Sequence, residues 1–355
     1  MGCDDEYQPD RRGFDEMFIH GAGGIGQNYP GTQGAFPGTS YFGPLIKHND
    51  KVVKTKGYCT DVFFQQALAW IREQKDKPFF AYIPTNAPHG PFIVDKKYSD
   101  LYKDKTKGKP AAFYGMITNI DENMGLLMKK LDEWGLAENT LLIYSTDNGS
   151  SAGTWNYGMK GKKGSVDEGG SRVPLFMRWP GKLPAAVDAD QLIRHFDIFP
   201  TFAVLAGAKL SSDLGLDGRS LLPIFSNANA IWEDRQLFFH KGRWPKAGGG
   251  PKWGRGDTNP DNFKNKNFAV RTKTWRLVGE KLYNIDKDPN QTTNVIKNYP
   301  EVAAELKKAY DAWWDEVRPM MVNENASLNT GKPFIEMYQK QKAKIGIPNW
   351  EVPSL

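Results

Sequence analysis

The chain has 355 residues, with 47 Lys+Arg against 41 Asp+Glu for a formal charge of +6, and is 39% hydrophobic and 13% aromatic. Such apolar content excludes a disordered chain, and the length allows one large domain plus a smaller one. The mild positive excess suits an anionic small molecule or a polyanion rather than nucleic acid. Two cysteines exclude a disulfide framework, and no run of about 18 apolar residues offers a membrane span.

The first residues, "MGCDDEYQPDRRG", are polar and loop-like, with no visible signal peptide. Residues 20–47 are rich in Gly, Pro, Ser and Thr and read as irregular loop. Within them "GAGGIG", Gly21 to Gly26, matches the dinucleotide pattern GxGxxG. The "QNYPGTQG" that follows cannot be a helix, so the context a nucleotide site needs is missing.

Regular patterns begin at residue 60. "TDVFFQQALAWIREQKD" predicts an amphipathic helix with Thr60 or Asp61 as N-cap and a stripe at Val62, Phe63, Ala67, Leu68 and Ile71. "PFFAYIPT" reads as a short apolar strand ending before "NAPHGPF". A second helix is expected over roughly 111–134, closing at Gly135. "TLLIYSTDNG", 140–149, reads as a strand buried on both faces of a parallel sheet, with Asp147 and Asn148 just past its C-terminal end. A Gly/Lys-rich loop follows, then the apolar "VPLFMRWPG". "HFDIFPTFAVLAGA" predicts a helix capped by Asp197, with Pro200 in its first turn. Alternating helices and strands mean an α/β layered domain.

The style changes after about residue 230. "RQLFFH", "NFAVRTKTWRLVG" and "KLYNI" read as antiparallel strands, and "YPEVAAELKKAYDAWWDEV" as an amphipathic helix after Pro300. The expected division is therefore an α/β core over 1–232 and a small α+β subdomain over 233–355. The tail from about 318 is expected to wrap the surface.

Three loops are expected at the C-terminal edge of the sheet, where open α/β sheets bind ligands. They carry His89; Asp147 with Asn148; and Lys160, Lys162 and Lys163. Carboxylate and amide oxygens suit a hard cation such as calcium or magnesium. A Lys ammonium suits an anionic oxygen, and an imidazole can protonate a leaving oxygen. Taken singly, each has a plainer reading. "DNG" is most often a turn, a His between prolines a surface loop residue, and lysines in a glycine loop merely solvated.

The order of motifs adds to this. "RGFDEMFIHGAGGIGQ", "KPFFAYIPTNAPHGPF", "AAFYGMITNIDENMGLLMKKLDEWGLAENTLLIYSTDNG", "GKKGSVDEGGSRVPLFMRWPGKL", "FDIFPTFAVLAGA" and "LYNIDKDPNQTTNVI" together closely resemble the sulfatase family, in particular bacterial arylsulfatase-like members. The resemblance implies an alkaline-phosphatase-like α/β/α layered sheet with a small C-terminal subdomain. It implies calcium-dependent hydrolysis of a sulfate ester to an alcohol and sulfate. By the same resemblance Asp147 and Asn148 match the metal ligands, Lys163 the sulfate-binding lysine, and His89 the histidine near the leaving group. A periplasmic or secreted location and a sulfated small molecule or carbohydrate as partner follow from it.

The family's nucleophile is a formylglycine made from Cys or Ser in Cys/Ser-x-Pro-x-Arg, and this sequence contains no such motif. Cys3 stands in "GCDDE" and Cys59 in "GYCTD". The family's first strand ends in an Asp-Asp pair, but no apolar strand precedes Asp4 and Asp5. Met1 therefore reads as an internal methionine of a longer protein. The chain as given is expected to be inactive alone, its first-strand region and nucleophile supplied by an N-terminal segment, either in the same chain or in trans. Within 240–256, Arg243, Lys246, Lys252 and Arg255 interleave with Trp244 and Trp253. Arg243 and Trp244 are candidate contacts to a sulfated carbohydrate, and a surface loop is the plainer reading. Two alternatives stay open: a phosphoester or phosphonate hydrolase of the same superfamily, and a non-catalytic binder of sulfated glycans.

Overall fold

Residues 7–21, 23–27, 34–106, 108–152, 155–242, 259–321 and 331–355 are described by the computed structural model. Their contacts divide the chain into two units, Met1–Ala137 with Asn325–Leu355, and Glu138–Glu324. This partition cuts the chain elsewhere than the change of style near residue 232, and the division at 232/233 stays a proposal.

In the first unit, β1 (Phe18–Ile19), β2 (Leu45–His48) and β3 (Lys51–Lys54) form an antiparallel sheet, with Phe18 opposite His48 and Leu45 opposite Lys54. Helix α1 (Cys59–Glu73) begins before the expected cap. Tyr58 is its N-cap, and Asp61 instead accepts from Asn119 and Asn123 side chains, both at 2.8 Å. The predicted stripe does face inward: Val62, Phe63, Leu68 and Ile71 are buried. A short α2 (Lys96–Ser99) is capped by Asp95, whose side chain accepts from the Lys97 N–H at 2.9 Å. It packs on α3 (Lys109–Glu133), which closes as expected: Gly135 adopts φ +68°, and the Leu136 N–H reaches back to the Leu131 carbonyl at 2.8 Å.

"PFFAYIPT" forms no strand. Residues 78–85 carry no strand assignment, and Phe80 and Tyr82 are 54% and 61% exposed. Apolarity predicted burial, but a strand also needs a partner ladder, and no described residue supplies one.

In the second unit, β4 (Leu142–Ser145) is antiparallel to β5 (Leu175–Arg178), pairing Leu142 with Arg178 and Ser145 with Leu175. The expected doubly buried parallel strand is corrected here. Leu142, Ile143 and Tyr144 are only half-buried, and β5 is the one ladder partner of β4 among the described residues. A single turn, α4 (Glu168–Ser171), lies between these strands in sequence. Helix α5 (Ile198–Leu205) follows, with Pro200 in its first turn, and then the short α6 (Leu222–Ser226).

The three segments read as antiparallel strands form a four-stranded sheet in the order β6 (Leu237–His240), β7 (Phe268–Arg271), β8 (Trp275–Val278), β9 (Lys281–Asn284). Helix α7 (Pro300–Val317) starts on its proline, whose missing N–H costs nothing there. It buries Ala303, Leu306, Tyr310 and Trp314 on one face. These meet Phe268, Val270, Leu277 and Leu282 from the sheet, forming this unit's core.

The tail carries a further helix. Residues Pro333–Ile345 form α8, which belongs to the first unit. Phe334 is buried with Phe36, Leu45 and Val52, and the Gln341 amide exchanges two hydrogen bonds with Val52, each 2.8 Å.

Candidate active site

Strand β4 delivers the chain to Thr146, and the next two residues are Asp147, exposed, and Asn148, half-buried. No described residue hydrogen-bonds either side chain. A carboxylate and an amide oxygen therefore point away from internal partners at one strand end. The Thr146 carbonyl is held by His195, whose Nε2–H donates to it at 3.0 Å. His195 begins a turn fastened beneath it by Asp197. The Asp197 carboxylate is fully buried and accepts from the Arg194 and Arg219 backbone N–H groups, at 2.6 and 2.9 Å, and from both Nη groups of Arg235. Asp197 is thus the N-cap residue of α5, as expected, but its side chain makes no cap hydrogen bond to that helix. The Arg235 guanidinium, distant in sequence, takes its place. Sequence reading passed over His195, and no local pattern marks it.

Gly149 explains why "DNG" ends in glycine. A Cβ there would lie 2.0 Å from the Gly169 carbonyl oxygen, and the Gly149 N–H donates to the Gly170 carbonyl at 3.1 Å. Two backbones touch with no side chain between them. One residue further, the Ser150 carbonyl accepts from the Lys163 N–H at 3.0 Å. The backbone segments that carry Asp147, Asn148 and Lys163 thus lie side by side in the second unit.

The three lysines separate by their partners. Lys160 Nζ donates to the Tyr283 hydroxyl at 2.9 Å and lies 3.7 Å from Asp167. The Tyr283 hydrogen bond raises its pKa, and the Asp167 charge adds to this. It is a structural cation. Lys162 and Lys163 are exposed, and their ammonium groups have no hydrogen-bond partner among the described residues.

Glu168 anchors this loop. Its carboxylate is 2% exposed and accepts from Arg271 Nε at 2.9 Å and from Arg276 Nη1. Its own N–H donates to Gln291 Oε1 at 2.8 Å, while Arg276 also grips the Val166 carbonyl and the Ser171 hydroxyl. Burial pushes the Glu168 carboxyl up, but the Arg276 and Arg271 guanidinium groups outweigh it, and the net shift is downward.

His89 lies in the first unit, exposed, on a loop with cis peptides at Ala87–Pro88 and Gly90–Pro91. Its Nδ1 lies 2.7 Å from the Gly90 carbonyl and 3.3 Å from the Gln27 side-chain amide nitrogen. The His89 backbone is fixed from both sides: its carbonyl accepts from the Tyr41 hydroxyl at 2.7 Å, and its N–H donates to Asn86 at 3.0 Å. Burial raises the Tyr41 phenol to about 12, so it stays a donor. The "GAGGIG" segment supports the same loop, the Ile25 N–H donating to Asn86 Oδ1 at 2.9 Å.

Cys59 is buried, and its thiol is pushed up to about 12 by burial, which leaves it inert as a nucleophile. Cys3, Asp4 and Asp5 lie outside the described residues, as do Arg243, Trp244 and the rest of the 243–258 stretch. Among the described residues no group of three or more His, Cys, Asp or Glu is placed to hold a metal ion.

The model of the sulfatase family matches residues 3–208. The chain belongs to the sulfatase family. A second family model, the C-terminal part of N-sulphoglucosamine sulphohydrolase, matches residues 157–314. The uncharacterized sulfatase YdeN of Escherichia coli is 33% identical over 94% of this chain and 62% of its own length. A sulfatase of Formosa agariphila is 29% identical over 73% of this chain and 50% of its own. The chain thus spans between half and two thirds of these relatives. The crystal structure of Ps i-CgsB in complex with k-i-k-neocarrahexaose superposes with TM-score 0.74 at 25% identity, covering 97% of this sulfatase chain and 75% of that one. A structure with its substrate D-glucosamine-2-N,6-O-disulfate superposes at TM-score 0.62 and 18% identity, covering 86% and 77%. The fold is the alkaline-phosphatase-like α/β fold of these sulfatases. No helix among the described residues is long and apolar enough to cross a membrane.

Proposed function

We propose that this chain carries the sulfate-holding part of a sulfuric-ester hydrolase whose substrate is a sulfated carbohydrate. The observation that carries the reading is that the backbone of Lys163 bonds to Ser150, two residues past Asn148, while the side chains of Asp147, Asn148 and Lys163 have no hydrogen-bond partner among the described residues. Uncommitted acceptors at a strand end suit a cation, and an uncommitted ammonium beside them suits an anion.

The donor chemistry fits calcium as far as it goes. Asp147 and Asn148 would hold it through oxygen, and the remaining ligands lie outside this pair. When bound, the ion supplies positive charge beside the sulfate oxygens. Lys163 supplies a second charge from the chain itself. The Gly149–Gly170 hydrogen bond fixes the backbone next to Asn148. His89, in the first unit, is kept as the family-matched candidate for protonating a leaving alcohol oxygen, its backbone held by Tyr41 and Asn86. No residue of this chain fits the formylglycine position, because Cys/Ser-x-Pro-x-Arg is absent and Cys59 is buried. No covalent step is assigned to it. A periplasmic or secreted location belongs to the same reading.

The same absence favours a second reading, a binder of sulfated glycans without hydrolysis. A panel separates the readings: carrageenan and heparin hexasaccharides, 4-nitrophenyl sulfate and 4-nitrophenyl phosphate, each with and without calcium. It is to be run on the chain as given and on the longest natural protein that contains it. Calcium-dependent sulfate release that Lys163→Ala abolishes in the longer protein supports the hydrolase. Binding without release in both supports the binder. Faster phosphate than sulfate release overturns the sulfatase reading in favour of phosphoester chemistry.

A further inference from the structure

The second unit holds a cavity of about 220 Å³ that is lined by none of Asp147, Asn148 and Lys163. It lies between residues 188–192 and 228–234, with Lys273 at its edge. Its walls are tied to each other. Gln191 Nε2 donates to the Ala228 and Ala230 carbonyls at 2.7 and 3.3 Å, and Trp232 Nε1 donates back to the Leu192 carbonyl at 3.1 Å. The Arg219 and Arg235 guanidinium groups lie 5.8 and 5.9 Å from the Trp232 ring centre, so this indole is a fixed wall. Asp234 joins Lys273 to the same frame, its carboxylate accepting from the Lys273 and Arg235 backbone N–H groups at 2.8 and 2.9 Å. The cavity is thus built before any ligand arrives.

Within this frame the polar groups are not matched to one another. The Gln191 Oε1 atom is buried and accepts no hydrogen bond. A buried oxygen without a donor is costly, so the cavity calls for one. Asp188, Asp190 and Lys273 are exposed at the rim, and their charged groups have no hydrogen-bond or ion-pair partner among the described residues. Opposite charges therefore border one cavity without pairing with each other.

We propose that this cavity binds a single neutral sugar ring, at a site separate from the sulfate-holding groups. Charge selects against the other classes. The carboxylates of Asp188, Asp190 and Asp234 repel a sulfate or any other anion, and the Lys273 ammonium opposes a cation. A sugar hydroxyl both donates and accepts, so it can serve the carboxylates, the Gln191 oxygen and the Lys273 ammonium together. The Trp232 indole supplies an apolar wall for the C–H groups of the ring. The volume is that of about seven waters, which suits one ring rather than a chain of them. Lys163 plays no part in this site, which stands whether or not Lys163 holds a sulfate.

The test is a proton–nitrogen NMR titration of the full chain, followed at the indole N–H of Trp232, which Trp232→Phe identifies by its loss. The probes are methyl galactoside, methyl glucoside, galactose 6-sulfate and galactosamine, so that charge varies on one ring. The expected result is a shift of the Trp232 signal by a neutral glycoside, with the 6-sulfate and galactosamine each about tenfold weaker. Asp188→Ala with Asp190→Ala, at exposed positions that bond to nothing else described, should lower the glycoside affinity about tenfold. Lys273→Met should lower it too, and raise the affinity for galactosamine. A Trp232 signal that neither glycoside moves overturns the site. A 6-sulfate that binds as well as the glycosides overturns it as well, and so does a double variant within about twofold of the parent. Galactosamine binding more tightly than both glycosides makes this a cation site and overturns the neutral-sugar assignment.

Discussion

Glu168→Gln is the substitution whose consequence the structure fixes best. The carboxylate faces two guanidinium groups, those of Arg271 and Arg276, both buried, and Arg172 approaches to 3.8 Å from the exposed side. Glutamine keeps the shape and one acceptor but removes the charge. Two buried cations then lose their counter-ion, and breaking a buried pair in this way costs about 3–5 kcal/mol. With a urea slope of about 2–3 kcal/mol per molar, the unfolding midpoint of the second unit should fall by roughly 1 M or more at pH 7. The pH dependence gives an independent check. The Glu168 carboxyl is held below its ordinary 4.5 in the folded chain. Its stabilisation is therefore complete above the unfolded value and is lost as pH falls through the lower folded value. The gap between parent and variant should narrow below about pH 4.5 and vanish once the parent's carboxyl is protonated. The assay is urea unfolding followed by far-ultraviolet circular dichroism at pH 7, 5 and 3.5. A midpoint shift under about 0.3 M at pH 7, or a gap that does not change with pH, would refute the view that this ion group holds the lysine loop.

Gly149→Ala should destabilise by about 2–3 kcal/mol, the scale of overpacking against backbone, because its Cβ would lie 2.0 Å from the Gly169 carbonyl oxygen. Thermal unfolding measures it, and a variant within 0.5 kcal/mol of the parent would mean the crossing is looser than described. Cys59 should resist iodoacetamide at pH 8 in the folded chain and react only on unfolding, because burial both shields the thiol and raises it to about 12. Peptide mapping distinguishes it from Cys3, and rapid labelling of Cys59 without denaturant would contradict its placement. On the proposed reading of Asp147 and Asn148 as calcium ligands, His195→Ala, which frees the neighbouring Thr146 carbonyl, should weaken calcium binding about tenfold, and His195→Gln, which can still donate to that carbonyl, should recover part of it. Calorimetric titration with calcium decides, and equal behaviour of both variants and the parent removes His195 from the site.

The periodic segments could be read directly from the residues. Helices α1, α3 and α7 and the sheet β6 to β9 stand where apolar spacing placed them, because each buries one face and that face is written locally. Strand β4 and "PFFAYIPT" show the limit. Both are apolar runs, yet one pairs only with β5 and the other with no described strand. A run of apolar residues states that burial is favourable but not which ladder will receive it. The tail shows the same limit: Phe334 and Gln341 gain their roles from β2 and β3, nearly 300 residues earlier in the chain.

The candidate site divides in a similar way. Asp147, Asn148, Lys163 and His89 were named by residue type and motif order, which are properties of the chain itself. Which lysine is uncommitted was decided by Tyr283 and Asp167, which claim Lys160 and leave Lys163 available. His195 carries no local signature, since its hydrogen bond goes to a carbonyl 49 residues away. Sequence determined the family, the periodic elements and the chemical groups on offer. Tertiary structure decided which of these groups remain unpaired among the described residues, because pairing depends on distances between residues far apart in the chain.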